Sequence, residues 1–111
     1  MPERGRELFV FFCTACHGDY GKGDGRYADT LWARDHVRPR DLTDSSYFAN
    51  VSDQRIYATL SLGGAHMGKS AFMPTWSHTI PPTEIRDLVS YVRALSHTTH
   101  ARASTSADSG R

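Results

Sequence analysis

The sequence contains no apolar run long enough to cross a bilayer, and neither sign of charge dominates it. A membrane-spanning helix needs about 20 consecutive apolar residues, so no transmembrane segment is predicted. The formal net charge of +1 does not favour nucleic acid or an anionic membrane surface as a partner. The first residues also lack the basic region and the apolar region of a signal peptide. The length of 111 residues predicts a single domain.

Cysteine is scarce as well: the chain has only two, and both lie in the segment Cys13-Thr14-Ala15-Cys16-His17. A structural zinc site would need two further ligands at close spacing, which the sequence does not offer. A thioredoxin-like dithiol usually follows a strand in a βαβ pattern, and no such pattern surrounds Cys13. A disulfide would leave the adjacent histidine unexplained. The remaining interpretation is covalent attachment of a c-type haem, for which Cys-x-x-Cys-His is the required spacing.

The chemistry of haem attachment accounts for each residue of this motif. Each thiol forms a thioether with one haem vinyl group, and two intervening residues let both sulfurs reach one edge of the macrocycle. The adjacent histidine can then ligate the iron. We therefore predict one haem c with its iron, bonded covalently through Cys13 and Cys16 and ligated by His17.

Apolar periodicity and helix caps predict three helices. The first helix is predicted over residues 3–15. A second begins after the N-cap Ser52 and ends at Leu62, where Gly63 provides a left-handed stop. The last begins near Pro82, since proline suits the first helical position, and carries an apolar stripe. Glycine, proline and polar residues predict loops at 18–25, 38–43 and 63–82.

The composition changes near His97, where serine, threonine, alanine and other small or polar residues replace the apolar stripe. Such a segment has too few apolar side chains to form a core. We expect a haem domain over residues 1–97 and a disordered tail or linker over residues 98–111.

The second axial ligand of the iron separates electron carriers from ligand binders, and the sequence offers three candidates. We rank Met73 first, because Pro74 stiffens the backbone after it and Trp76 can pack against the pocket. Met67 follows, in a glycine-rich and more flexible segment. His66 is third, and it would give bis-histidine ligation with a lower reduction potential.

Several further residues match a known pattern: Gly5 and Phe9 ahead of the haem motif, Met73-Pro74 with Trp76, and Leu88 with Tyr91 in the last helix. Together with the haem motif, they resemble the small monohaem class I cytochromes c over roughly residues 3–96. The resemblance implies an all-α cytochrome c fold, with three to five helices around one covalent haem. It also implies that the first and last helices cross, with Gly5 allowing Leu88 or Tyr91 to approach closely.

The resemblance also implies roles around the haem. A backbone carbonyl near Pro39 should accept a hydrogen bond from the free ring nitrogen of His17. Arg38 or Arg40 should pair with a haem propionate, because a guanidinium matches a carboxylate. Trp76 is a further candidate for propionate contact or haem packing.

The chain has only two lysines, Lys22 and Lys69, whereas cytochromes that dock by a basic ring carry many. A flatter and more apolar docking surface, with Phe12 as a member, is therefore expected.

The predicted function is one-electron transfer between redox partner proteins, with no catalysis by the chain itself. A first alternative is a haem domain through which electrons enter or leave a larger respiratory or periplasmic oxidoreductase. A second is a haem enzyme or gas sensor with a displaceable sixth ligand. Thioether attachment is normally completed outside the cytoplasm, so we expect a periplasmic or otherwise extracytoplasmic protein whose signal or tether is absent from this chain. We expect a monomer or a domain of a larger protein.

Overall fold

The computed structural model describes residues 2–69 and 73–106, and within these ranges the chain is all-α. The all-α prediction is confirmed. The α-helices in these ranges are α1 (Pro2–Phe12), α2 (Thr14–His17), α3 (Ala28–Asp35), α4 (Ser45–Phe48), α5 (Asp53–Leu62) and α6 (Pro82–Ser106). Two 3-10 helices, Ala65–Met67 and Trp76–His78, lie between α5 and α6.

These ranges hold six α-helices, more than the predicted three to five, because two of the helices are single turns and one was not predicted. The single turns α2 and α4 have four residues each, too few for apolar periodicity to show in the sequence. Helix α3 buries only Leu31, so its amphipathic signal is weak. None of the helices in the described residues is long and apolar enough to cross a membrane.

Helix α5 forms where the sequence predicts it, because its caps are local. The Ser52 hydroxyl accepts a hydrogen bond from the Arg55 backbone N–H at 3.0 Å, and Asp53 lies at the positive end of the helix. The helix ends at Gly63, which has φ 89° and ψ 164°. This is an extended conformation at positive φ, essentially restricted to glycine, and not the left-handed helical stop that was predicted.

Helices α1 and α6 pack together at Gly5, as the resemblance implies. A Cβ atom added at Gly5 would lie 2.9 Å from the Tyr91 Cβ and against the Asp87 carbonyl oxygen. One turn along α1, the rings of Phe9 and Tyr91 are 5.2 Å apart between centroids. Leu88 is fully buried and belongs to the same hydrophobic cluster as Phe9. The absence of a side chain at residue 5 therefore sets how closely the two helices approach.

Arg93 on α6 ties the last helix to the segment that joins α4 and α5. Its Nη1 donates to the Phe48 carbonyl at 2.7 Å, and its Nε donates to the Asp53 carboxylate at 2.8 Å. Its Nη2 donates to the Val51 carbonyl. One guanidinium thus provides hydrogen bonds to two backbone carbonyls, that of the last residue of α4 and that of a residue after it, which have no partner within a helix.

The last helix continues past His97 to Ser106, further than the sequence indicates. Once a helix is established, each added residue gains a backbone hydrogen bond, so polar residues can extend it without a core. The division of the chain at residue 97 and the role of residues 98–111 as a tail or linker stay predictions. Residues 107–111 lie outside the described residues.

We expect Gly5→Ala to lower the free energy of unfolding by about 1–2 kcal/mol. The added methyl group would meet the Asp87 backbone carbonyl, and such overpacking costs about 2–3 kcal/mol. Alanine returns roughly 1 kcal/mol of this in helix propensity. The midpoint of urea unfolding measures the change. Arg6→Ala, at the adjacent exposed position, is the matched control and should stay within about 0.5 kcal/mol of the parent. A Gly5→Ala protein as stable as the parent would show that the helices separate at little cost.

Candidate haem-binding site

A cavity of about 660 Å³ lies between the helices. Much of its wall is apolar and comes from α1, α3, α4, α5, α6 and the loop before α4: Phe9, Leu31, Leu42, Phe48, Ile56, Leu60 and Val92. Cys13, His17 and Met73 line the same cavity. Its volume lies in the range of about 300–1,000 Å³ that is usual for cofactor sites. The three chemically distinctive residues of the sequence therefore converge on one apolar space.

The haem motif is held by the turn that joins α1 to α2. The Cys13 N–H donates to the Phe9 carbonyl at 2.9 Å, and the His17 N–H donates to the Cys13 carbonyl at 2.9 Å. Cys13 and Cys16 are three residues apart on this turn and so share a face. Both thiols are free, and that of Cys13 is buried.

Burial raises the pKa of the Cys13 thiol to about 12, and the nearby Cys16 adds to the rise. An apolar site of this kind disfavours a thiolate. It suits the uncharged thioether that haem attachment creates at this position.

His17 has the protonation state that an iron ligand needs. Its Nδ1 lies 3.0 Å from the Arg40 backbone carbonyl oxygen, and a carbonyl can only accept, so Nδ1 carries the proton. The Nε2 atom then keeps a free lone pair. Burial lowers the pKa of His17, while the bond to the Arg40 carbonyl partly opposes this change. The imidazole is therefore neutral and oriented.

The carbonyl that orients His17 belongs to Arg40, one residue beyond Pro39. The Pro39 carbonyl instead faces Gly23, where an added Cβ would lie 2.6 Å from the oxygen. Gly23 has φ 85° and donates its N–H to the His17 carbonyl at 2.7 Å. The glycine-rich loop, for which the sequence suggested no role, lets the segment around Pro39 approach the histidine.

Hydrogen bonds fix the backbone around Met73 to the end of α5. Its carbonyl accepts from the Gly64 N–H at 3.0 Å, and the Thr75 hydroxyl donates to the Leu62 carbonyl at 2.9 Å. Met73 is the one methionine among the described residues that line the cavity. Met67, which is half-buried in a 3-10 helix, is not among them. The side chain of the third candidate, His66, lies outside the described residues.

Trp76 packs beside the cavity and not within its described lining. Its ring is 4.9 Å from that of Phe12, which in turn meets Phe11 edge to face at 4.8 Å. Phe11 is 81% exposed, and its neighbour Val10 is 53% exposed. The end of α1 thus presents apolar side chains to solvent next to the haem motif.

The charged part of the cavity lining is mostly basic, and we call it the basic side. The described lining includes five cationic residues and one acidic residue, Asp41, whose carboxylate accepts from the Thr43 N–H at 2.9 Å. The cationic residues are Lys22, Arg38, Arg40, Arg55 and Lys69. Two of them were predicted here from the resemblance, Arg38 and Arg40. The others carry no local signal in the sequence that would have marked them.

Aromatic rings hold several of these cations in place. The Arg38 guanidinium lies 4.1 Å from the Trp32 ring centroid, and the Arg40 guanidinium lies 3.8 Å from that of Tyr47. The Lys69 Nζ donates to the Tyr47 hydroxyl at 3.0 Å. This bond lowers the pKa of Tyr47, and the positive charges of Lys69, Arg40 and Arg55 add to the effect. Sequence reasoning missed Tyr47.

The donor set fits haem c. The cavity offers an apolar interior for the macrocycle, the Cys13 thiol for one vinyl group and an oriented neutral imidazole for the iron. The Cys16 thiol lies on the same turn as that of Cys13 but is not part of the described lining. Its excess of positive charge matches the two propionates, because a guanidinium pairs well with a carboxylate.

The comparisons with known proteins agree with this geometry. The family model described as Cytochrome c matches residues 2–96. Among solved structures, the KustC0563 c-type cytochrome has a similar fold, with a TM-score of 0.62 and 26% identity. The similarity covers 82% of this chain and 95% of that one.

Two curated relatives carry the same description, cbb3-type cytochrome c oxidase subunit FixP. The protein of Bradyrhizobium diazoefficiens is 28% identical over 92 residues, which are 83% of this chain and 27% of the relative. That of Azorhizobium caulinodans is 28% identical over 93 residues, which are 84% of this chain and 27% of the relative. The chain therefore spans about a quarter of the length of these relatives.

The match over residues 2–96 confirms the predicted fold and the covalent haem c at Cys13 and Cys16. It also confirms haem-based electron transfer as the class of function. The chain belongs to the cytochrome c family.

Proposed function

We propose that the chain is a one-electron carrier whose haem iron is held between His17 and Met73. The observation that carries this proposal is that both residues line one cavity and that each has an anchored backbone. The Arg40 carbonyl orients the His17 ring at 3.0 Å. The Gly64 N–H fixes Met73 at 3.0 Å. The Met67 N–H also bonds to Gly64, at 3.0 Å, but Met67 is not among the described residues that line the cavity.

The bound haem supplies the couple between ferrous and ferric iron. The protein residues would keep its surroundings constant. The apolar wall would face the macrocycle, and the neutral His17 would offer a ready ligand. Cations at the basic side, Arg40 and Lys69 among them, would offset the charge of the propionates. With His17 and Met73 both as ligands, an electron would enter or leave with little rearrangement.

We further propose that the carrier works as a haem domain of a respiratory oxidase. The support is that two longer relatives, each matched over 27% of its own length, are described as cbb3-type cytochrome c oxidase subunits. Electrons would enter or leave the complex through this chain, and oxygen chemistry would take place elsewhere in it. An extracytoplasmic location accompanies this proposal, since thioether attachment is normally completed there.

The partners we propose are redox proteins that dock through an apolar surface. The exposed side chains of Val10 and Phe11 lie next to the haem motif, with Phe12 and Trp76 behind them. The end of α1 therefore offers an aromatic contact surface, a common centre of protein interfaces.

Carbon monoxide separates a carrier from a ligand binder. We expect the reduced holo-protein at neutral pH to keep its absorption spectrum under carbon monoxide, because a methionine fills the sixth position. The oxidised protein should show the near-infrared band of methionine-to-iron charge transfer. Rapid formation of a carbonyl complex would instead favour a gas sensor or a haem enzyme.

Replacement of the two methionines tests the ligand itself. We expect Met73→Ala to lose the near-infrared band, to bind carbon monoxide and to lower the reduction potential by on the order of 0.1 V, within the ~0.8 V range that axial ligands span. Met67→Ala is the matched control in the same segment between α5 and α6, and it should retain the near-infrared band and the reduction potential of the parent. The reverse pattern, with the band lost only in Met67→Ala, would assign the iron to Met67.

A further inference from the structure

Tyr47 joins two chain segments that lie on the basic side of the cavity. The Arg40 guanidinium stacks 3.8 Å from its ring centroid, and the Lys69 Nζ donates to its hydroxyl at 3.0 Å. All three residues line the cavity.

Tyr47 is itself held independently of these partners. Its backbone N–H donates to the Asp44 carboxylate at 3.1 Å, which caps α4. Its ring meets that of the buried Phe48 edge to face at 4.9 Å. The ring therefore offers Arg40 a fixed surface, and Arg40 is the more adaptable member of the pair because its side chain is exposed.

Arg40 connects this aromatic surface to the iron ligand. Its side chain lies on Tyr47, and its backbone carbonyl accepts the hydrogen bond from the Nδ1 of His17 at 3.0 Å. A hydrogen bond from the free ring nitrogen to a carbonyl raises the basicity of a ligating imidazole and fixes its orientation. The carbonyl can do so only while the Arg40 backbone stays close to His17.

We propose that Tyr47 is a positioning residue, whose ring holds Arg40 so that the Arg40 carbonyl keeps its hydrogen bond to His17, and that it thereby sets the reduction potential of the haem. This inference rests on the proposed ligation of iron by His17. The ring acts through Arg40 and needs no contact with the iron.

The direction of the effect distinguishes this role from a merely structural one. A strong bond from His17 to a carbonyl makes the imidazole a better donor and favours ferric iron. Weakening that bond favours ferrous iron and raises the potential. A ring that only kept water out would act oppositely, because water entering the site favours the more highly charged ferric state.

Three variants of the holo-protein test the proposal: Tyr47→Leu, Tyr47→Phe and Arg40→Lys. Tyr47→Leu removes the aromatic surface, and Tyr47→Phe removes only the hydroxyl. Arg40→Lys keeps the charge but loses the planar group that stacks, and Arg40 is exposed, so this variant should fold. The measurements are the ratio of ferrous to ferric protein in a fixed redox buffer and the exchange rate of the His17 ring N–H by NMR.

We expect Tyr47→Leu and Arg40→Lys each to raise the ferrous-to-ferric ratio by about tenfold, by analogy with the lower end of the roughly 10–100-fold effects that such supporting residues have on metal affinity or activity. For a one-electron couple this corresponds to about 59 mV. Both variants should also speed exchange of the His17 ring proton. Tyr47→Phe should keep the parent ratio. A double variant with Tyr47→Leu and Arg40→Lys should shift the ratio no further than either single variant, because both changes break the same contact.

The proposal is overturned if Tyr47→Leu leaves both measurements unchanged, or if it lowers the ratio. It is also overturned if Tyr47→Phe shifts the ratio as far as Tyr47→Leu, since the hydroxyl and not the ring would then matter. A parent protein without the spectrum of histidine ligation would instead overturn the proposed function, and this inference with it.

Discussion

Burial of a haem between α1, α5 and α6 is the interaction on which the rest of the structure depends. Without the haem, the apolar side chains that line the cavity of about 660 Å³ would face water. A chain of 111 residues has a small core, so this apolar lining is a large part of what it can bury. The cofactor is therefore part of the hydrophobic core, and covalent attachment at Cys13 and Cys16 keeps it there.

The surrounding elements serve to place a few atoms around that cofactor. Gly5 lets α1 approach α6, which positions the end of α1 and hence Cys13. Gly23 lets the segment around Pro39 approach His17, so that the Arg40 carbonyl can orient the imidazole. Gly64 and Thr75 fix the backbone around Met73. Close backbone approach, and not side-chain packing alone, gives the site its geometry.

Local signals in the sequence predicted much of this arrangement. The haem motif, the Ser52 cap and the start of α6 at Pro82 each depend on neighbouring residues, so short-range chemistry identifies them. The basic side of the cavity could not be predicted in this way. Arg40, Tyr47 and Lys69 meet only after the chain has folded. Arg40 was predicted from the resemblance and not from a local motif, and Tyr47 and Lys69 were not predicted there. The acceptor of the His17 bond was placed near Pro39 and proved to be the next residue, because a resemblance identifies a segment more reliably than an atom.

The most direct test of this account is the intact mass of the chain under denaturing conditions, after expression in a host that can mature c-type cytochromes. The account predicts a single species heavier than the polypeptide by one haem, with a shift that disappears when both Cys13 and Cys16 are replaced by alanine. A chain that matures, folds and retains its colour but shows the mass of the unmodified polypeptide would contradict covalent attachment. The central claim would fall with it.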